Sequence, residues 1–166
     1  MEGKGMNGRE QDVSCCECYL EHYQREVAPR LRLVDTWIKT GDRTARAEDL
    51  AAALDLDPSE VETILRKPRG MWLNRADYLL ALAHGTSEVC RLYQRELDSG
   101  SPLTYTPEQI AYIYGLDQAT VSAVCAAKRI REVTAYTLPL VLGEVNWRPE
   151  AGDRKPEKDP NFGSPL

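Results

Sequence analysis

Between about Ser14 and Trp147 the apolar residues return every three or four positions, and proline and glycine fall mostly between these periodic stretches. Long runs of alternating β-branched residues are absent, so the helical period governs and the fold class is expected to be all-α. A first helix is predicted from about Ser14 toward Glu26. Pro29 separates it from an apolar stripe of Leu31, Val34, Trp37 and Ile38 that ends at Gly41. Residues 1–13 and 149–166 lack the periodicity. The second of these stretches holds four prolines and two glycines among mixed charges, and both ends are expected to be flexible.

Sliding the chain over itself exposes an internal repeat with an offset of 60 residues. Glu48, Leu50, Ala51, Leu54, Asp55, Leu56, Asp57, Val61, Ile64 and Leu65 align in order with Glu108, Ile110, Ala111, Tyr114, Gly115, Leu116, Asp117, Val121, Val124 and Cys125, and five of the pairs are identical. The stripe of Leu31, Val34 and Trp37 has its counterpart in Cys90 to Leu97, and Tyr78 to Leu82 falls opposite Leu138 to Leu142. The chain therefore divides into a flexible N-terminus with a Cys-containing helix (1–26), a first unit (27–86), a second unit (87–148) and a Pro-rich tail (149–166). Each unit is expected to hold about five short helices.

In the second unit Thr106 before Pro107 suits an N-cap followed by proline in the first turn, and Ile110, Ala111 and Tyr114 then share one helical face. Gly115 can take a left-handed conformation, Leu116 plugs the corner, and Asp117 caps a helix whose buried face is Val121 and Val124. This spacing predicts a helix-turn-helix. The stretch from Tyr105 to Ile130, followed by a loop and Leu138-Pro-Leu-Val-Leu-Gly143, resembles the lambda-repressor-like (Cro/Xre) DNA-binding family. Leu79-Leu80-Ala81-Leu82-Ala83-His84-Gly85 of the first unit looks like the family's closing helix and terminal glycine. Pro139 departs from the pattern and either starts a shortened last helix or kinks it.

The resemblance implies two tandem helix-turn-helix units and places Gln118, Ala119, Thr120 and Ser122, with Ala123, toward a major groove. It places Lys128, Arg129 and Arg131 in a basic loop that grips phosphates. In the first unit the corresponding face carries Asp57, Pro58, Ser59, Glu62 and Thr63 beside Glu60, and carboxylates are repelled from a phosphate-lined groove. That unit is expected to read bases poorly, although Arg66, Lys67, Arg69 and Arg75 offer cations for phosphate contact.

Composition narrows the remaining chemistry. The 166 residues are 42% hydrophobic and 28% charged with a formal net charge of −5, which argues against coating nucleic acid by bulk charge but leaves room for a local basic patch. The sequence offers neither a membrane span nor a secretory leader, and its five cysteines, three of them Cys15, Cys16 and Cys18, fit free thiols in a reducing, cytoplasmic setting. Cys15, Cys18 and His22 would share a helical face and are the candidate metal ligands. Without a second CxxC pair, however, the preferred reading is of thiols packing as small apolar residues with Leu20 and Tyr23. Cys90 and Cys125 are expected in the core, Trp37 and Trp72 in the seams of the first unit, and Trp147 at a pinned C-terminus or an interface. His84 is expected to end a helix.

No phosphate-cradling glycine loop, HExxH, GxSxG or carboxylate pair with histidine is found, so neither an enzyme nor a cofactor is expected. The expectation is a transcriptional regulator of prokaryotic or phage type that binds double-stranded DNA through its second unit. It would act as a homodimer, the first unit and N-terminal helix serving as dimerisation or partner surface. The alternative is an adaptor that uses the same fold to bind another protein.

Overall fold

A computed structural model describes residues 16–41 and 43–148. The expected flexibility of residues 1–13 and 149–166, and the placement of Cys15, lie outside these residues. Among the described residues the regular structure is helical, with isolated bridges in place of strands, and no helix is long and apolar enough to cross a membrane. The helices are α1 (Tyr19–His22), α2 (Ala28–Thr40), α3 (Ala47–Leu54), α4 (Pro58–Leu65), α5 (Arg75–His84), α6 (Glu88–Asp98), α7 (Pro107–Tyr114), α8 (Gln118–Ala127) and α9 (Leu138–Leu142). Each expected unit thus holds four helices rather than five. The segments before α3 and α7 are turns that pass through left-handed residues, Arg43 and Ser101, and end in single bridge residues, Arg46 and Tyr105.

The N-terminal expectation needs correction. The helix starts at Tyr19 rather than near Ser14, and Pro29 does not interrupt it. A π-helical turn over Tyr23–Val27 joins α1 to α2, and the Ala28 N–H donates to the Tyr23 carbonyl five residues back. A proline inside a helix lacks an N–H and presses its ring on the carbonyl four residues earlier; the widened turn just upstream relieves both.

The 60-residue repeat is visible in the backbone. Asp55 and Gly115 are both left-handed, with φ of 55° and 64°. The next N–H folds back to the preceding helix in each copy, Leu56 to the Ala51 carbonyl at 2.9 Å and Leu116 to that of Ala111 at 2.8 Å. Asp57 and Asp117 then cap the following helices, accepting from the Ser59 and Thr120 N–H groups at 2.8 Å each. Leu73 N–H donates to the Ala45 carbonyl and Val133 N–H to that of Tyr105, at 3.0 and 2.7 Å. Asn74 and Asp77 exchange backbone-to-side-chain hydrogen bonds before α5, as Thr134 and Thr137 do before α9.

The copies differ where their sequences do. Lys67 precedes Pro68 and is disfavoured from helix, so α4 ends at a left-handed Arg66. Lys128 stands in the place of Pro68, so α8 extends through Ala126 and Ala127, and the left-handed residue is Arg129. Pro139 lies in the first turn of a shortened α9, the first of the two outcomes expected for it.

Two buried clusters form, and their borders cross the expected domain limits. The first takes Val89 and Cys90 of α6 together with residues from α2 to α5; the second joins Tyr19 of α1 to Ile110, Val121, Cys125, Val133, Val141, Leu142 and Val145. The N-terminal helix is therefore part of the second core. Tyr19 N–H donates to the Val145 carbonyl at 2.7 Å, and Trp147 N–H to that of Glu17 at 2.9 Å. Cys90 and Cys125 are buried as expected, and Trp37 packs against Tyr78 with ring centroids 5.9 Å apart. Trp72 is not in a seam: it lies 47% exposed, with the Arg46 guanidinium 4.7 Å over its ring.

A Cβ built on Gly115 would fall 2.7 Å from an Arg95 guanidinium nitrogen, in a backbone conformation that L-residues disfavour. Gly115→Ala is expected to lower unfolding free energy in urea by about 1–2 kcal/mol, while Asp55→Gly shifts it by less than about 1 kcal/mol. A Gly115→Ala protein as stable as the parent would show that this turn does not constrain the fold.

Candidate nucleic-acid interface

Helix α8 is held from behind by Val121 and Cys125, which are buried, and by the partly buried Val124. Ala119, Thr120 and Ala123 are consequently exposed on the other side, Gln118 is exposed as the first residue of the helix, and Ser122 is half-buried. The face is open because the helix is short, capped by one side chain and backed by apolar residues on a single flank. Thr120 gives both its N–H and its hydroxyl to one carboxylate oxygen of Asp117, at 2.8 and 2.7 Å. These two bonds, the hydroxyl's foremost, hold the Asp117 carboxyl below its ordinary range. The cap is therefore charged at neutral pH, and its contribution is lost only as pH falls through that lowered value.

Beyond the helix, Arg129 and Arg131 are exposed, and the Lys128 ammonium meets Glu144 at 3.0 Å. Residues 118–131 contain three cations and no carboxylate; the matching residues 58–71 contain three cations and two carboxylates. In the second copy the predicted face and the basic loop that follows it are both open to solvent, apart from the half-buried Ser122.

The first copy is arranged differently. Lys67, predicted to contact phosphate, is bound to the buried Asp77 at 2.6 Å, because the loop after α4 folds its ammonium over the first turn of α5. Arg69 is paired with Glu62 one helical turn up the face, and Arg75 reaches the Lys39 carbonyl at 3.5 Å. Glu60 is turned to Thr86, accepting from its N–H at 2.9 Å and its hydroxyl at 3.1 Å. Of the four cations predicted here, Arg66 is exposed, Lys67 and Arg69 are held by carboxylates, and Arg75 is turned to a backbone carbonyl.

Cys18 and His22, the candidate ligands among the described residues, do not share a helical face. Cys18 is the extended N-cap of α1, Cys16 is exposed rather than packed, and His22 points elsewhere. Among the described residues no group of three or more possible ligands surrounds a metal position. His84 ends α5 and is exposed, as expected.

His22 carries the polar contact that sequence reasoning missed. It is 4% exposed, its Nε2 lies 2.9 and 3.1 Å from the two carboxylate oxygens of Glu88, and its ring stacks on Trp147 at 4.0 Å. Because a carboxylate accepts, Nε2 carries the proton, and the buried Nδ1 has no partner. A cleft of about 300 Å³ lies beside this stack, lined also by Arg25, Arg30 and Val89. Nothing in sequence links His22 with a glutamate 66 positions away. Tyr105, bonded to Glu96, was likewise unforeseen; burial first, then that bond, pushes its hydroxyl up to about 12.

Comparison with protein-family models, curated proteins and solved structures gives no match to the chain.

Lys67→Met leaves the Asp77 carboxylate without its cation and is expected to cost about 1–3 kcal/mol in urea unfolding. Arg129→Met, at an exposed position, is expected to change stability by no more than about 0.5 kcal/mol. Equal effects of the two substitutions would contradict the assignment of Lys67 to structure and Arg129 to the free surface.

Proposed function

We propose that the chain is a sequence-specific, double-stranded DNA-binding regulator of prokaryotic or phage type, built from two tandem lambda-repressor-like helix-turn-helix units, and that the second unit reads the DNA. The observation that carries this reading is the surface of α8: an exposed first turn of small and uncharged polar side chains, followed by Lys128, Arg129 and Arg131 with no carboxylate among them. A helix of this kind enters a major groove by its N-terminal residues, while the preceding helix, here α7, crosses the backbone. The cations after the helix then neutralise phosphates, with Lys128 exchanging Glu144 for phosphate.

The first unit contributes less to reading. Its two internally paired cations and the carboxylates along α4 leave little positive surface for a phosphate backbone. In this account a homodimer supplies two copies of α8 at half-sites about one helical turn apart. The first unit is the region that meets a second copy or another protein, and its outward Met71, Trp72, Leu79 and Leu80 favour that role over a solvated surface.

The test is binding to a pool of random duplex DNA at two salt concentrations. The parent protein is expected to retain a defined motif, with affinity falling as salt rises. Lys128→Ala and Arg129→Ala should each reduce the slope of log affinity against log salt by about 1. Adding Gln118→Ala to both is expected to abolish enrichment with the helical circular dichroism unchanged. Survival of full affinity in the triple variant would remove α8 from the reading role. An absence of salt-dependent retention in the parent would favour the adaptor reading.

A further inference from the structure

The exposed chemistry of α8 is unusually one-sided in what it can recognise. In the major groove, guanine is read by the paired donors of arginine or lysine, cytosine by a carboxylate accepting from its amino group, adenine by the amide of asparagine or glutamine, and thymine by apolar contact with its methyl group. From Gln118 to Ala127 the helix contains no charged residue. Its first residue, Gln118, is exposed and carries the amide that pairs with adenine. Ala119 and Ala123, one turn apart, present methyl groups on the same exposed flank, and Thr120 adds a third because its hydroxyl is occupied by Asp117.

The charged groups at either end do not supply the missing readout. At the N-terminus, the Asp117 oxygen that accepts twice from Thr120 fixes this carboxylate as the cap of the helix. At the other end, Lys128 begins ten positions after Gln118, which at about 1.5 Å per residue places it roughly 15 Å along the axis from the first turn. Arg129 and Arg131 lie in the loop that begins at that end of the helix, where the Ile130 N–H closes back on the Cys125 carbonyl at 2.9 Å. Ser122, half-buried, offers a hydroxyl that suits any base pair.

We propose that the DNA taken by α8 is of a restricted class: duplex whose contacted core consists of A·T pairs, with adenine met by Gln118 and thymine methyl groups by Ala119, Thr120 and Ala123. This inference rests on the reading of α8 as a major-groove helix.

The experiment is selection of full-length protein on random duplex DNA with sequencing of the bound fraction, repeated for Gln118→Arg. The selected duplex is then remade with uracil in place of thymine. The expected motif has A·T pairs at its core; Gln118→Arg changes one of those positions to G·C; and each contacted methyl lost to uracil weakens binding about fourfold. A motif with G·C at the core, or uracil duplex bound as tightly as thymine duplex, overturns the A·T assignment while leaving DNA binding in place. An enriched A·T motif that Gln118→Arg leaves untouched overturns the role of Gln118. Absence of any enriched motif overturns the DNA reading and this inference with it.

Discussion

At the corners between α3 and α4 and between α7 and α8 the chain turns through a residue with positive φ, and that device organises both halves of this protein. At Gly115 and Asp55 the backbone swings into the left-handed region, the following N–H closes back on the helix just completed, and an aspartate two residues on starts the next. The direction of α8 relative to α7 is set there, and with it which flank of α8 is buried. Leu116 and Leu56 follow the turn in each half and anchor it to the apolar clusters below. In the second half the Arg95 guanidinium lies against the turn, and a side chain at position 115 would displace it as well as strain the left-handed backbone.

The two halves are joined by shared elements. Helix α6 lends Val89 and Cys90 to the first core and, through Glu88, holds His22 of the N-terminal helix. That helix delivers Tyr19 to the second core and, with Trp147 stacked on His22, closes the C-terminal end of the described chain back on its N-terminal end. An imidazole donating from Nε2 to the Glu88 carboxylate and stacked on the Trp147 indole ties these elements together. Removing Glu88 would leave the buried imidazole without its acceptor, whereas removing His22 would leave a carboxylate that water can reach. The π turn over Tyr23–Val27 allows one continuous helix to serve both cores despite Pro29.

The repeat was legible in the sequence because its punctuation survives at a fixed offset: the small alanine, the turn residue, the leucine plug and the capping aspartate recur in order, and each does the same job in both copies. The exposed face of α8 was legible for the same reason, since burying Val121 and Cys125 exposes Ala119 and Ala123, and Asp117 as the cap leaves Gln118 open at the first position. What escaped depends on three-dimensional neighbours. Lys67 and Arg69 look like free cations until the loop places Asp77 and Glu62 beside them. Val89 and Cys90 are apolar in either unit, and periodicity says that they are buried without saying against which core. Pro29 breaks a helix of regular pitch but not one with a widened turn before it.

The copies thus share a backbone device and differ in surface charge, and the account turns on that difference. The most direct test is a nuclear magnetic resonance titration of the backbone amides with a duplex recovered by selection. Shifts are predicted to concentrate on residues 118–123 and 128–131 and to leave the amides of α4 in place. Shifts centred on α4, or spread evenly over both helices, would contradict the proposal that the second copy is the main reader.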